Sequence, residues 1–364
     1  MNSDKIKIAI ITRSLADGGA ERNTAIMTVL LTNLGYDVHL ISVLDKIEFE
    51  FKGHLLNLGL LKNQNDTIFG RFQRLLYFKK YLKKHNFDWV IDNRTRMSWW
   101  SEFIISKFIF DSKKVIYVVH SYKIEDYFPK NNLIAKYIYK KSPYIVSVSN
   151  EIKTAIENRF GYKNVITIYN PIDLKEIIKE GNETNISNKF IISYGRIEDQ
   201  IKNFSLLIEG YSLSVLPQNN IPLYIIGNGK DVEILKQKVN DLGLTEQIIF
   251  KPKMINPFPY VKSALFTVLT SKYEGFPRVL IESLALGTPV ISVDCKSGPK
   301  EIIKNELNGL LIENYNPSEL AKAMNRFVED KILYDICKNN ASNSIEHLAI
   351  ENIAIQWQKI LSRQ

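Results

Sequence analysis

Apolar residues along this 364-residue chain gather in short continuous runs, separated by stretches of helical length, rather than alternating with polar ones. The first half reads as strands over Ile6–Thr12, Asp37–Val43, Trp89–Asp92, Lys114–Val119, Tyr144–Ser149 and Val165–Tyr169. A turn at Ala16-Asp17-Gly18-Gly19 and a helix from about Ala20 to Asn33 follow the first of these. A second series opens at Lys189 with FIISYG and continues at Leu223–Ile226, Ile248–Lys251, Leu265–Leu269 and Pro289–Val293, with helices only after Glu313. Continuous apolar strands between helices predict parallel sheets covered on both faces. The fold class expected is therefore α/β, with two doubly wound Rossmann-like domains that bind ligands at the carboxyl ends of their strands. No internal repeat of solenoid period is present.

Length supports this division, since 364 residues exceed what one hydrophobic core normally serves. An apolar content of 45% with 24% charged residues is ordinary for a globular protein and excludes a disordered or fibrous chain. The two cysteines, Cys295 and Cys337, form no CxxC or Cys/His cluster, so neither a disulfide framework nor a zinc site is expected. The N-terminal MNSDKIKIAIIT reads as a short first strand, not a signal peptide, and no apolar run approaches the ~20 residues of a membrane span. A cytoplasmic protein is expected.

A formal net charge of +9 raises the question of a polyanionic partner. Much of it lies in segment 70–87, where Arg71, Arg74, Lys79, Lys80, Lys83 and Lys84 occur without an acidic residue. A second group, Lys136, Lys140 and Lys141, is interleaved with tyrosines. No nucleic-acid module accompanies them, which leaves anionic lipid headgroups, a pyrophosphate-linked acceptor or a merely solvated helix face. Lys79 and Lys83 fall among the apolar positions of their helix, so its amphipathic pattern is imperfect. MSWWSEFIISKFIF (97–110) is read first as a core helix; the other reading rests Trp99 and Trp100 in a lipid interface.

The chemistry concentrates in residues 271–299, SKYEGFPRVLIESLALGTPVISVDCKSGP. An apolar strand ends in a loop holding Glu274, Gly275 and Phe276. Pro277 fits the first turn of a helix, which continues through Leu280, Ile281, Leu284 and Ala285 and stops at Gly287. A strand, a Gly-bearing loop and a helix N-terminus together receive anions. Glu274 could accept hydrogen bonds from sugar hydroxyls, and Glu282 is set at the reach of a ribose diol. This segment resembles the signature of the retaining, nucleotide-sugar-dependent glycosyltransferases of the GT-B fold, glycosyl transferases group 1 and family 4. The resemblance implies that Glu274 holds the donor sugar and Glu282 the ribose, and that the two domains face each other across a cleft.

Other positions fit the same family. Gly195 and Arg196 end a strand, and Lys202 follows six positions later, one residue looser than is usual there; guanidinium and ammonium would clamp the diphosphate. Gly18 and Gly19 in GGAER resemble the N-terminal motif that borders the donor diphosphate. His120 matches the histidine beside the transferred sugar and takes a positioning role. Gly227 and Asn228 resemble the turn lining the nucleotide cleft, and Lys253 lies where the family contacts the base. Arg94 and Arg96 leave a strand end in the first domain, where a phosphate or acidic sugar of the acceptor would bind.

The resemblance divides the chain into an acceptor domain (1–170), a linker (171–188) that opens at Asn170-Pro171-Ile172-Asp173, a donor domain (189–344) and a C-terminal helix (345–364) that crosses back to the first domain. No Asp-x-Asp pair stands at a strand end, so no metal and no cofactor beyond the nucleotide sugar, UDP-linked by expectation, is called for. The expected partners are that donor, a polyprenyl-diphosphate-linked saccharide or lipopolysaccharide core acceptor, and an anionic membrane surface. The alternatives are an epimerase or phosphorylase on the same fold, or a non-catalytic nucleotide-sugar-binding subunit.

Overall fold

A computed structural model describes residues 5–362, apart from Asp17 and Asn185. The predicted turn at 16–19 therefore includes one residue, Asp17, that lies outside the described residues. The chain divides into two compact units, Met1–Pro171 with Ile350–Gln364, and Ile172–Ala349.

Among the described residues, the first unit is built on seven strands: β1 (Lys7–Thr12), β2 (Asp37–Ser42), β3 (His54–Asn57), β4 (Trp89–Asp92), β5 (Val115–Val119), β6 (Tyr144–Ser147) and β7 (Val165–Thr167). They pair in parallel in the order β3-β2-β1-β4-β5-β6-β7. All of β5, and β1 and β2 after their first residues, Lys7 and Asp37, are buried, as the apolar runs require, because side chains alternate between two covered faces. The helices are α1 (Gly19–Asn33), α2 (Leu58–Gln64), α3 (Ile68–His85), α4 (Trp99–Ile104), α5 (Asn132–Tyr139) and α6 (Asn150–Phe160). Side-chain oxygens of Asn57, Thr67, Asn131 and Ser149 cap α2, α3, α5 and α6. Strand order reverses between β1 and β4, the switch point where open α/β sheets bind ligands.

The second unit, Ile172–Ala349, carries β8 (Ile191–Tyr194), β9 (Leu223–Ile226), β10 (Ile248–Lys251), β11 (Thr267–Leu269), β12 (Val290–Val293) and β13 (Gly309–Ile312), paired in parallel as β10-β9-β8-β11-β12-β13. Its switch point lies between β8 and β11. The helices are α7 (Leu174–Gly181), α8 (Asp199–Lys202), α9 (Phe204–Ser212), α10 (Val232–Asp241), α11 (Phe258–Ser263), α12 (Arg278–Ala285), α13 (Pro299–Ile302), α14 (Pro317–Glu329) and α15 (Lys331–Asn340). The last helix, α16 (Ile350–Leu361), belongs to the first unit: Trp357 is buried, and the Leu361 carbonyl accepts the Trp89 indole N–H at 2.8 Å.

Three features depart from the pattern-based reading. The edge strands β3 and β13, HLLN and GLLI, were not expected from the sequence; they pair with β2 and β12. Residues 174–181, read as an exposed connection, form α7, capped by the Asp173 carboxylate. The segment 97–110 is not a core helix. It begins as α4 and widens into a π-turn at Ile105–Ile109. Glu102, Ile105 and Ser106 are buried, whereas Met97, Trp100, Ile104 and Phe108 are exposed. Glu102 turns inward to the Arg94 guanidinium, 3.3 Å away, with the exposed apolar side chains at other positions of the segment.

Candidate active site

In the second unit, the loops after β8, β9 and β10 are pressed together by glycine. Gly227 has φ +156, and a Cβ on it would lie 1.9 Å from the Gly195 carbonyl oxygen. A Cβ on Gly229 would lie 1.8 Å from the Ile197 carbonyl oxygen. Only residues without side chains allow such close passage. The Gly195 N–H donates to the Ile226 carbonyl at 2.9 Å and that of Gly227 to Lys251 at 3.0 Å. Asn228 extends the seam, since its Oδ1 accepts the Lys253 N–H at 3.1 Å. The sequence-marked positions Gly195, Gly227, Asn228 and Lys253 thus form one edge.

A second polar group lies in the segments that follow β8 and β11. Lys202, the last residue of α8, donates from Nζ to Glu274 Oε1 at 2.6 Å. The Ser271 hydroxyl donates to the same oxygen at 2.6 Å. Backbone contacts fix both ends: Thr270 Oγ1 donates to the Lys202 carbonyl at 3.1 Å, and the Glu274 N–H to that of Lys296 at 2.7 Å. The Gly275-Phe276-Pro277 turn is buried against the 297–298 loop. Ser297 Oγ donates to the Gly275 carbonyl at 2.9 Å, and a Cβ on Gly298 would meet Pro277 Cδ at 2.7 Å. Pro277 is the N-cap of α12 rather than a first-turn residue, and Gly287, at φ +76, follows the helix as its left-handed stop.

Glu282 faces inward and is 4% exposed. The Tyr194 hydroxyl donates to its Oε2 at 3.0 Å and Arg278 Nε to its Oε1 at 3.2 Å. Arg196 is exposed, its guanidinium 3.9 Å from the Glu198 carboxylate. The sequence placed Glu274 and Lys202 in one site, and the structure joins them directly. Ser271, Tyr194 and Arg278, which complete the two glutamate networks, carry no motif of their own.

In the first unit, a chain of polar groups crosses the switch point. His120, at the carboxyl end of β5, sits 3.3 Å from Asn93 Oδ1 through Nε2, and Asn93 Nδ2 donates to Thr24 Oγ1 at 3.0 Å. With its amide committed to Thr24, Asn93 presents an acceptor to His120, so Nε2 carries the proton and Nδ1 keeps its lone pair. That Nδ1 is buried and has no partner among the described residues. Burial, and then the neighbouring Arg96 guanidinium, push the imidazole pKa down to about 4. Gly18 caps α1 with extended backbone, and Glu21 of the first turn folds back over it: a Cβ there would lie 1.9 Å from Glu21 Oε2. The negative side chain complements the helix dipole where an anion would bind.

Arg94 and Arg96, read as acceptor ligands, both point inward. Arg94 donates to Asp92 from Nε and Nη2, each at 2.8 Å. Burial raises the Asp92 pKa, but the guanidinium beside it wins and the net shift is downward. Arg96 is 2% exposed and donates to the carbonyls of Arg94 (3.0 Å), Tyr127 (3.2 Å) and Asp92 (3.3 Å). The rings of Tyr117, Tyr127 and Tyr139 surround it at 5.1, 5.3 and 5.7 Å. The pair is an internal brace between the loops that follow β4 and β5.

Residues 17–176 match the family described as Glycosyltransferase Family 4, and residues 175–344 match Glycosyl transferases group 1. A Campylobacter jejuni N-acetylgalactosamine-N,N'-diacetylbacillosaminyl-diphospho-undecaprenol 4-alpha-N-acetylgalactosaminyltransferase is 29% identical over 351 residues, 92% of this chain and 93% of that one. The lipopolysaccharide 1,6-galactosyltransferase of Escherichia coli is 30% identical over 198 residues, 52% of this chain and 53% of its own. The fold is similar to that of Anabaena Alr3699/HepE solved in complex with UDP, at a TM-score of 0.76 and 19% identity, covering 99% of this chain and 100% of that one.

Proposed function

Because the chain belongs to the GT-B-fold glycosyltransferases of group 1 and family 4, we propose that it moves a hexose or N-acetylhexosamine from a UDP-linked donor, with retention at the anomeric carbon, to a lipid-linked saccharide of a bacterial surface glycan. The observation that carries this reading is the Lys202–Glu274–Ser271 group at the carboxyl end of the second sheet. Both bonds fall on Oε1, so Oε2 of Glu274 keeps its lone pairs for donor hydroxyls. Lys202 holds a positive charge where the UDP diphosphate departs, and the positive end of the α12 dipole adds to it. Arg196 exchanges Glu198 for a phosphate oxygen, a stronger partner for a guanidinium. Glu282 meets the ribose when Arg278 releases Oε1, while Tyr194 keeps the carboxylate oriented.

The neutral Nδ1 of His120 accepts a hydrogen bond from the transferred sugar; it is not a general base. Gly18 and Gly19 receive the diphosphate when Glu21 moves away. The acceptor oxygen attacks on the face from which UDP leaves, and the departing phosphate takes its proton, so neither a protein nucleophile nor a metal enters the step. Arg94 and Arg96 serve the acceptor side by bracing their loops.

The acceptor is a polyprenyl-diphosphate-linked saccharide or a lipopolysaccharide core, consistent with what the two relatives are named for. It is met at the cytoplasmic face of the membrane. Among the described residues no helix is long and apolar enough to span a bilayer. Contact is instead peripheral, through the exposed Phe69, Phe72 and Leu76 of α3, Trp100 and Phe108 of the α4 segment, and Leu133 and Tyr137 of α5. Lysines 79, 80, 83 and 84 at the end of α3 supply the charge for anionic headgroups.

The test is turnover of a UDP-sugar panel with a polyprenyl-diphosphate disaccharide, with product anomeric configuration read by NMR. Glu274→Ala and Lys202→Met are each expected to lower kcat by about 100-fold or more. Turnover near wild type in Glu274→Ala, or product formed without an acceptor, overturns the reading.

A further inference from the structure

Three of the chain's five histidines, His39, His54 and His85, meet at the amino end of the first sheet, at the opposite strand ends from His120 and Asn93. Asp37 and His39 stand two residues apart on β2 and so share one face; His54 on β3 is the register partner of His39. The parallel pairing of a four-residue edge strand therefore brings together three donors that the sequence holds up to 17 positions apart (54 minus 37).

Asp37 Oδ1 lies 3.4 Å from His39 Nε2 and 3.6 Å from His54 Nε2, and all three atoms fall within 4.8 Å of one another. These separations exceed the ~2.7–2.9 Å of a charge-assisted hydrogen bond. The two separations from Asp37 are close to the edge of a tetrahedron whose centre is about 2.0–2.1 Å from nitrogen and carboxylate oxygen, a spacing of roughly 3.3 Å. The other ring nitrogen of His39, Nδ1, is 2.6 Å from the Tyr81 hydroxyl of α3, an outer partner of the kind that orients a ligating imidazole. His39 is buried between the rings of His85 and Phe87, whereas His54 is 69% exposed and opens the group to solvent on one side.

We propose that Asp37 Oδ1, His39 Nε2 and His54 Nε2 form a binding site for a zinc-class divalent cation, with water at the fourth vertex. Two imidazoles and one carboxylate suit zinc or cobalt and are poor in the oxygen donors that calcium and magnesium require. The site fastens the edge strand β3 to β2 and, through Tyr81 and His85, to the C-terminal turn of α3. It takes no part in sugar transfer and stands independently of the donor assignment. A search for clustered Cys and His in the sequence misses it, because the ligands are assembled by strand register.

Untagged protein, stripped with chelator and dialysed, is titrated with Co2+ and followed by the visible ligand-field absorption of the four-coordinate ion. One Co2+ per chain is expected, displaced stoichiometrically by Zn2+, with an upward shift of the thermal midpoint at saturating Zn2+. His54→Ala, a change at an exposed position, is expected to weaken binding by roughly tenfold or more, and Asp37→Asn to do the same with side-chain volume retained. No saturable uptake by the wild type overturns the proposal. So does an affinity in His54→Ala equal to that of the wild type, which would place the ion at another histidine.

Discussion

His120 is held neutral by its surroundings. The unfolded imidazole takes a proton below its ordinary value of 6.5, the folded one only near 4. Between those limits the unfolded state binds more protons, so stability rises with pH across the window and the contribution is lost as pH falls through it. The increment is on the order of 3 kcal/mol at most, from the 2.5-unit difference. Denaturant titrations from pH 4 to 6.5 are expected to show this climb in the wild type and a flatter profile in His120→Asn; parallel profiles would assign the titration to another group. The strand-end position of His120 is legible in KVIYVVH. Its partner Asn93 is not, nor is Thr24, which lies 69 residues from Asn93 and is joined to it only by the crossover placing β4 beside β1. Arg96 teaches the converse. Two arginines at a strand end read as ligands for an anion, yet the carbonyls of two neighbouring loops and a ring of tyrosines claim the guanidinium. Sequence reveals the charge of a side chain, not the direction in which burial turns it.

At the scale of the element, the glycine seam is the most demanding feature. Gly227→Ala would set a methyl group 1.9 Å from the Gly195 carbonyl, and the obstacle is backbone, which does not rotate away. A loss of about 2 kcal/mol or more is expected, read by urea unfolding, together with weakened UDP binding by calorimetry. A variant as stable as wild type would show that the loops after β8 and β9 part easily. Strands with a clear apolar run were predicted closely; β4, β9 and the edge strand β10 match to the residue. The edge strands β3 and β13 escaped notice, since a strand with a neighbour on one side only is under weaker selection for continuous apolarity. The segment at 97–110 was misread because Glu102 is buried beside Arg94 while Trp100, Ile104 and Phe108 are exposed, an orientation that the local pattern does not reveal.

For the molecule as a whole, the charge of +9 and the exposed aromatic side chains of the first unit belong to one argument. Apolar contact with the bilayer interface would persist in salt, whereas lysine attraction to anionic headgroups is screened within about 10 Å at 0.1 M salt. The double variant Trp100→Ser with Phe108→Ser is expected to bind phosphatidylglycerol vesicles about tenfold more weakly in a sedimentation assay, with stability within about 0.5 kcal/mol of wild type. Unchanged binding would return both residues to ordinary surface positions. Hydrophobic periodicity by itself determined two parallel-sheet units, the strand end at which His120 stands and the post-strand segments that carry Lys202 and Glu274, because burial of a central strand forces its whole sequence to be apolar. Tertiary structure alone decided which side chains meet: Ser271 with Glu274, Tyr194 with Glu282, Asn93 with His120, His39 with His54. Apart from Ser271 and Glu274, which share one loop, those contacts join residues distant in sequence and carried by different elements, and strand order and register, unlike the runs themselves, leave no mark on the local sequence.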